Sequence, residues 1–117
     1  MQEEYLHYLW RMKRLDFSQL ILANGSKQPV YVEEVGWYNL DAGPDFFNGT
    51  VVVDGLRWSG NIELHIKSSD WYAHQHHLDE AYNNVVLHVV YEHDKEVYVN
   101  GAVLPTIELK EVIDKNH

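Results

Sequence analysis

Cysteine is absent from the chain, and with it go disulfides, thiolate zinc sites, iron–sulfur ligation and cysteine nucleophiles. Basic residues are few. Nine lysines and arginines stand against eighteen acids, a formal net charge of −9. That balance argues against an unaided, nonspecific grip on nucleic acid, which draws on lysine and arginine to displace counterions. It leaves open a nuclease whose metal ions bridge an acidic site to phosphate. No apolar run approaches the ~18 residues of a membrane span. The acidic start, Met1-Gln2-Glu3-Glu4, lacks the basic and apolar regions of a signal peptide. A cytoplasmic location without a membrane partner is expected. Repeats, low-complexity segments and linkers are missing. So are a nucleophile elbow, a phosphate loop and a dinucleotide fingerprint.

What is present fits one domain of 117 residues, 45% apolar, long enough to bury a core without staples. Tyr5, Tyr8, Leu9 and Met12 follow i, i+3, i+4, i+7 spacing and predict a helix over Glu3 to Leu15. Asn24-Gly25-Ser26 marks a turn. Strands are expected over Pro29 to Val35, Phe46 to Val53, Leu56 to Lys67 and Val85 to Tyr91. Asp54-Gly55 joins the second and third as a hairpin, and Asn100-Gly101 marks another. Along Asn61 to Lys67, Ile62, Leu64 and Ile66 face one way and Glu63, His65 and Lys67 the other. Ser68 to Asn84 predicts a loop with a short helix near Leu78 to Tyr82. Thr106 is expected to cap a final helix that is cut off after Lys115-Asn116-His117. Together these give an α+β domain with a mixed central sheet, an N-terminal helix and a short second helix.

Gly43-Pro44-Asp45 and Glu63-Leu64-His65-Ile66-Lys67 carry the most chemistry. Asp45 opens a strand, and Glu63 lies in the next strand across a hairpin. Two carboxylates brought together this way can hold Mg²⁺ or Mn²⁺, cations that favour oxygen ligands. Asp41 and Glu34 are secondary candidates for the same acidic pocket. The bland alternative makes Asp45 a turn residue and Glu63, His65 and Lys67 a solvated strand face.

The pattern Pro44-Asp45, hairpin, Glu63-x-His65 resembles the Pro-Asp…(Asp/Glu)-x-Lys signature of restriction-endonuclease-like phosphodiesterases. The order helix, three strands, helix, strand is similar as well. The resemblance implies Asp45 and Glu63 as metal ligands, with the next position orienting the attacking water. That position is His65 here, a departure from lysine; Lys67 points the same way one pleat further on. A second, longer resemblance covers nearly the whole chain. Asp41 to Asn48, Gly60 to Trp71, His74-x-His76, Tyr82 to His88 and Pro105 to Leu109 are similar to an uncharacterised bacterial family numbered 2851 among the domains of unknown function. Its members are several times longer, which implies that residues 1–117 form an N-terminal portion. Any nucleic-acid partner would then draw on basic surface from the remainder.

His74, His76 and His77, with Asp79 and Glu80 close behind, could ligate Zn²⁺, Mn²⁺ or Fe²⁺. His74-x-His76-x₃-Glu80 also resembles part of the cupin metal motif, without its flanking glycines. The ordinary alternative is a polar surface loop, and a mixed version folds this loop over Glu63 and His65. His88 is expected as a core histidine bonded to backbone. Trp37, Trp58 and Trp71 are expected as core fillers. Three functions follow: a divalent-metal phosphodiesterase using Asp45, Glu63, His65 and Lys67; an inactive fold of that kind serving as a scaffold; or a cupin-like metal protein using His74 and His76. Carboxylates of Asp45 and Glu63 that converge favour the first. Carboxylates that point apart favour the second, and a closed antiparallel barrel the third. The oligomeric state is not legible.

Overall fold

The computed structural model describes residues 1–25 and 27–115. The chain opens with helix α1 (Glu3–Arg11) and continues through strands β1 (Val30–Glu34), β2 (Trp37–Tyr38), β3 (Phe46–Val53) and β4 (Leu56–Lys67). A short helix α2 (Asp70–Ala73) and two 3-10 turns (His76–Leu78, Glu80–Tyr82) lead to β5 (Val85–Glu92). The small hairpin β6 (Tyr98–Val99) and β7 (Ala102–Val103), strand β8 (Thr106–Glu108) and helix α3 (Lys110–Asp114) follow. The main sheet runs β1-β3-β4-β5-β8, with β2 also paired to β3. The β1–β3 and β3–β4 pairs are antiparallel, and β4–β5 and β5–β8 are parallel. The fold is therefore α+β around a mixed, open sheet.

Asp54 and Gly55 both take positive φ, 51° and 76°, as a two-residue hairpin of this hand requires. Asn100 and Gly101 repeat the device at 52° and 80°. The alternation along β4 splits the domain into two sides. Ile62 and Leu64 join Leu6, Leu9, Trp10, Leu87, Val89 and Ile107 in the main core. The other side packs Trp71, Tyr82, Val85, Val97 and Leu104. Both sides of β4 and β5 are covered, so Glu63, His65 and His88 are buried although they are polar. Trp10 is fully buried, and its indole N–H donates to the Val35 carbonyl at 3.0 Å. Truncating such a side chain costs about 3–5 kcal/mol.

The structure corrects several expectations. Helix α1 stops at Arg11 and buries Leu6, Leu9 and Trp10, whereas Tyr5, Tyr8 and Met12 are exposed. The stripe was rotated because an apolar periodicity of tyrosines and methionine competes with a second one nearby. Thr106 does not cap a helix. It begins β8, paired in parallel with β5, and Ile107 is fully buried there. Sheet pairing overrides the local preference. Trp71 is a core residue, but Trp37 is 77% exposed and Trp58 48% exposed. The turn at Asn24-Gly25 is present, with Gly25 at φ 69°, while Ser26 lies outside the described residues. The expected end of the last helix at Asn116 and His117 also lies outside them. Among the described residues, no helix is long and apolar enough to cross a membrane.

Candidate metal centre

Asp45 precedes the first residue of β3, and Glu63 lies on β4, which pairs with β3. The Asp45 backbone N–H donates to Glu63 Oε1 at 3.0 Å, and the Leu64 N–H donates to Asp45 Oδ2 at 2.8 Å. Each acid is thus braced by the backbone beside the other. Burial pushes the Glu63 carboxyl far above the usual carboxylate range, and the Asp45 charge adds to the rise. Burial raises Asp45 as well, against the Leu64 N–H and the His7 charge. Two buried carboxylates this close cannot both carry charge without a cation.

Imidazoles approach this pair from two directions. From α1, His7 Nε2 stands 3.4 Å from Asp45 Oδ2 and 3.9 Å from Glu3 Oε1, while its Nδ1 is 3.0 Å from the Tyr38 hydroxyl. Burial works against charge on His7, but the neighbouring Glu3 and Asp45 carboxylates outweigh it and raise its pKa. From β4 and the crossover segment, His65 Nε2 lies 3.3 Å and His76 Nε2 2.9 Å from the same oxygen, Glu63 Oε2. His7 Nε2, His65 Nε2 and His76 Nε2 are all buried, yet none makes an aligned hydrogen bond. Nitrogens that crowd a carboxylate without hydrogen-bond alignment are suited to a cation between them.

Burial holds His65 down to about 2 and His76 down to about 4, with neighbouring histidines adding to both. These rings are neutral at pH 7, the form in which imidazole ligates metal. His65 Nδ1 lies 2.7 Å from His88 Nε2, so His88 is a core histidine bonded to another side chain and not to backbone. The ring of Tyr82 stacks on His76 with centroids 3.8 Å apart.

The His74–His77 segment is therefore not an independent polar loop. Gln75 takes a left-handed φ of 60°, and the chain turns there between His74 and His76. His65, His74 and His76 offer ligand atoms within 4.8 Å of one another, as do Glu3, His7 and Asp45. Among the described residues no cupin barrel forms, because the sheet is open and partly parallel, although His74 and His76 do converge. Lys67 ends β4, exposed, opposite Glu92. His77 faces Tyr72 instead of the cluster. Sequence reasoning missed Glu3, His7, Tyr38 and the role of His88, since only the folded chain brings α1 and β5 to β4.

The family described as a protein of unknown function, DUF2851, has a model that matches residues 3–117. No curated protein and no solved structure matches the chain.

Proposed function

We propose that this chain, which belongs to the DUF2851 family, is a divalent-metal-dependent phosphodiesterase domain acting on nucleic acid. One observation carries the reading: Asp45 and Glu63 meet as a pair of carboxyls, each braced by a backbone N–H beside the other, among imidazole nitrogens that lack aligned partners. The donor set fits a divalent cation, with carboxylate oxygens for Mg²⁺ or Mn²⁺. Bound there, the cation supplies charge against that growing on the phosphate and makes a nearby water more acidic. Asp45 and Glu63 hold the cation. His65, neutral, orients a water through a hydrogen bond and does not supply the positive charge that lysine would. Lys67, at the exposed end of the same strand, is the proposed contact to phosphate. The order α1, three antiparallel strands, helical crossover, parallel strand also supports this reading. With a net charge of −9, basic surface for the substrate would have to be supplied from outside residues 1–117.

The test is calorimetric titration of Mn²⁺ and Mg²⁺ into this chain and into an Asp45→Ala, Glu63→Ala variant. The expected result is binding that disappears in the variant, followed by metal-dependent cleavage of nucleic acid by the full-length protein. Absence of binding to the unmodified chain would overturn it. A second reading, a scaffold built on an inactive fold of this kind, is favoured by His65 at the lysine position. It predicts cation binding without cleavage.

A further inference from the structure

We infer that His65, His74 and His76, closed by the Glu63 carboxylate, form a separate site for a borderline divalent cation of the zinc class. Glu63 and His65 are shared with the function proposed above, but the inference does not rest on phosphodiester chemistry. Its basis is donor type and spacing. Imidazole nitrogens suit zinc, iron, cobalt and nickel, whereas magnesium prefers oxygen. Three nitrogens and one carboxylate oxygen are a common tetrahedral zinc set.

The geometry is close to that set without any ion. Ligand atoms about 2.0–2.1 Å from zinc stand roughly 3.3–3.4 Å apart in a tetrahedron. Glu63 Oε2 lies 3.3 Å from His65 Nε2 and 2.9 Å from His76 Nε2. The three histidines need only draw together from within 4.8 Å. Both Nε2 atoms are buried without an aligned hydrogen bond, so neither is already committed elsewhere. His88 braces the far nitrogen of His65, the arrangement that orients metal-bound imidazoles. Trp71 meets His76 and His88 edge-on, and Tyr82 stacks on the His76 ring. His74 is exposed and gives the ion its way in.

The test uses Co²⁺ as a spectroscopic stand-in, together with Zn²⁺ competition, in the presence of excess Mg²⁺. The proteins are the unmodified chain, Asp45→Ala and His74→Ala/His76→Ala, with circular dichroism to confirm folding. The expected result is one Co²⁺ with the intense visible absorption of tetrahedral coordination, displaced by Zn²⁺ and not by Mg²⁺. It persists in Asp45→Ala and is lost in the double histidine variant. If the double variant fails to fold, His74→Ala, at an exposed position, must weaken zinc binding at least about 10-fold. Absence of tetrahedral cobalt, loss of it in Asp45→Ala, or its retention without His74 and His76 would overturn the inference. Asp45-dependent Mn²⁺ binding without tetrahedral cobalt would leave the phosphodiesterase reading standing and remove this one. The converse result would do the opposite.

Discussion

His65 Nδ1 and His88 Nε2 lie 2.7 Å apart, both rings almost wholly buried. Neutral imidazoles at that distance share one proton. When it sits on His65, the His65 Nε2 lone pair faces Glu63 and is ready for a cation. When it sits on His88, that lone pair is capped by its own proton. A bound cation therefore selects one tautomer. His88→Phe removes the brace and should lower zinc affinity by about 10–100-fold. Competition with a chromophoric chelator reads this directly, and unchanged affinity would dismiss the brace.

Glu63→Gln separates charge from shape. The Glu63 carboxyl is held protonated by burial and by Asp45, and a glutamine keeps the oxygen that accepts from the Asp45 N–H. The metal-free variant should stay within about 1 kcal/mol of the parent in urea unfolding, because a neutral hydrogen bond replaces another. Cation binding should be lost. Collapse of the variant would show that the carboxyl is ionised in the folded protein.

Gly60→Ala should destabilise the sheet next to the site. A Cβ there would stand 2.6 Å from the Asn84 carbonyl oxygen, which is already fixed by the Asn61 N–H at 2.9 Å. Overpacking of this kind costs about 1–3 kcal/mol. Thermal unfolding should show a clear drop in Tm, and an unchanged Tm would mean that the strands separate at no cost.

Acid should loosen the start of the crossover. Burial acts to raise the Asp94 pKa, but hydrogen bonds from Ser69 and Ser68 outweigh it and hold it below the ordinary value. A depressed carboxyl contributes stability above its unfolded pKa of ~3.9 and loses it as pH falls through the folded value. Asp94→Asn should therefore be less stable than the parent at neutral pH, with the gap shrinking below pH ~4. A gap independent of pH would remove the charge from the account.

The strand framework was legible because its signals are local. Phe46–Val53 and Leu56–Lys67 appear with the expected bounds, since Asp54-Gly55 fixes the turn and β-branched residues fill the arms. The pairing of Asp45 with Glu63 was legible for the same reason. The outer members of the site were not. His7 and Glu3 reach Asp45 only once α1 packs across the sheet, and of the stripe Tyr5, Tyr8, Leu9 and Met12 only Leu9 lies on the buried face. His76 was legible as a loop that folds over Glu63 and His65, but the left-handed Gln75 that turns it inward was not. Thr106–Glu108 became a strand because β5 offered an unpaired edge in register.

The pairing of β4 with β5 slips by one residue: Asn61 stands beside Val85, but Ile62 stands beside Leu87. Val86 is the extra residue, and it inverts the parity of everything after it. Without that phase change, Leu87 and not His88 would share a face with Glu63 and His65. His88 would then turn into the oily half of the domain, and Leu87 would press against the acids. One aliphatic residue, Val86, thus determines which side of β5 faces Glu63 and His65 and which faces the main core. Deletion of Val86 is a frameshift in three dimensions, one that leaves composition almost unchanged while exchanging the two sides of a strand.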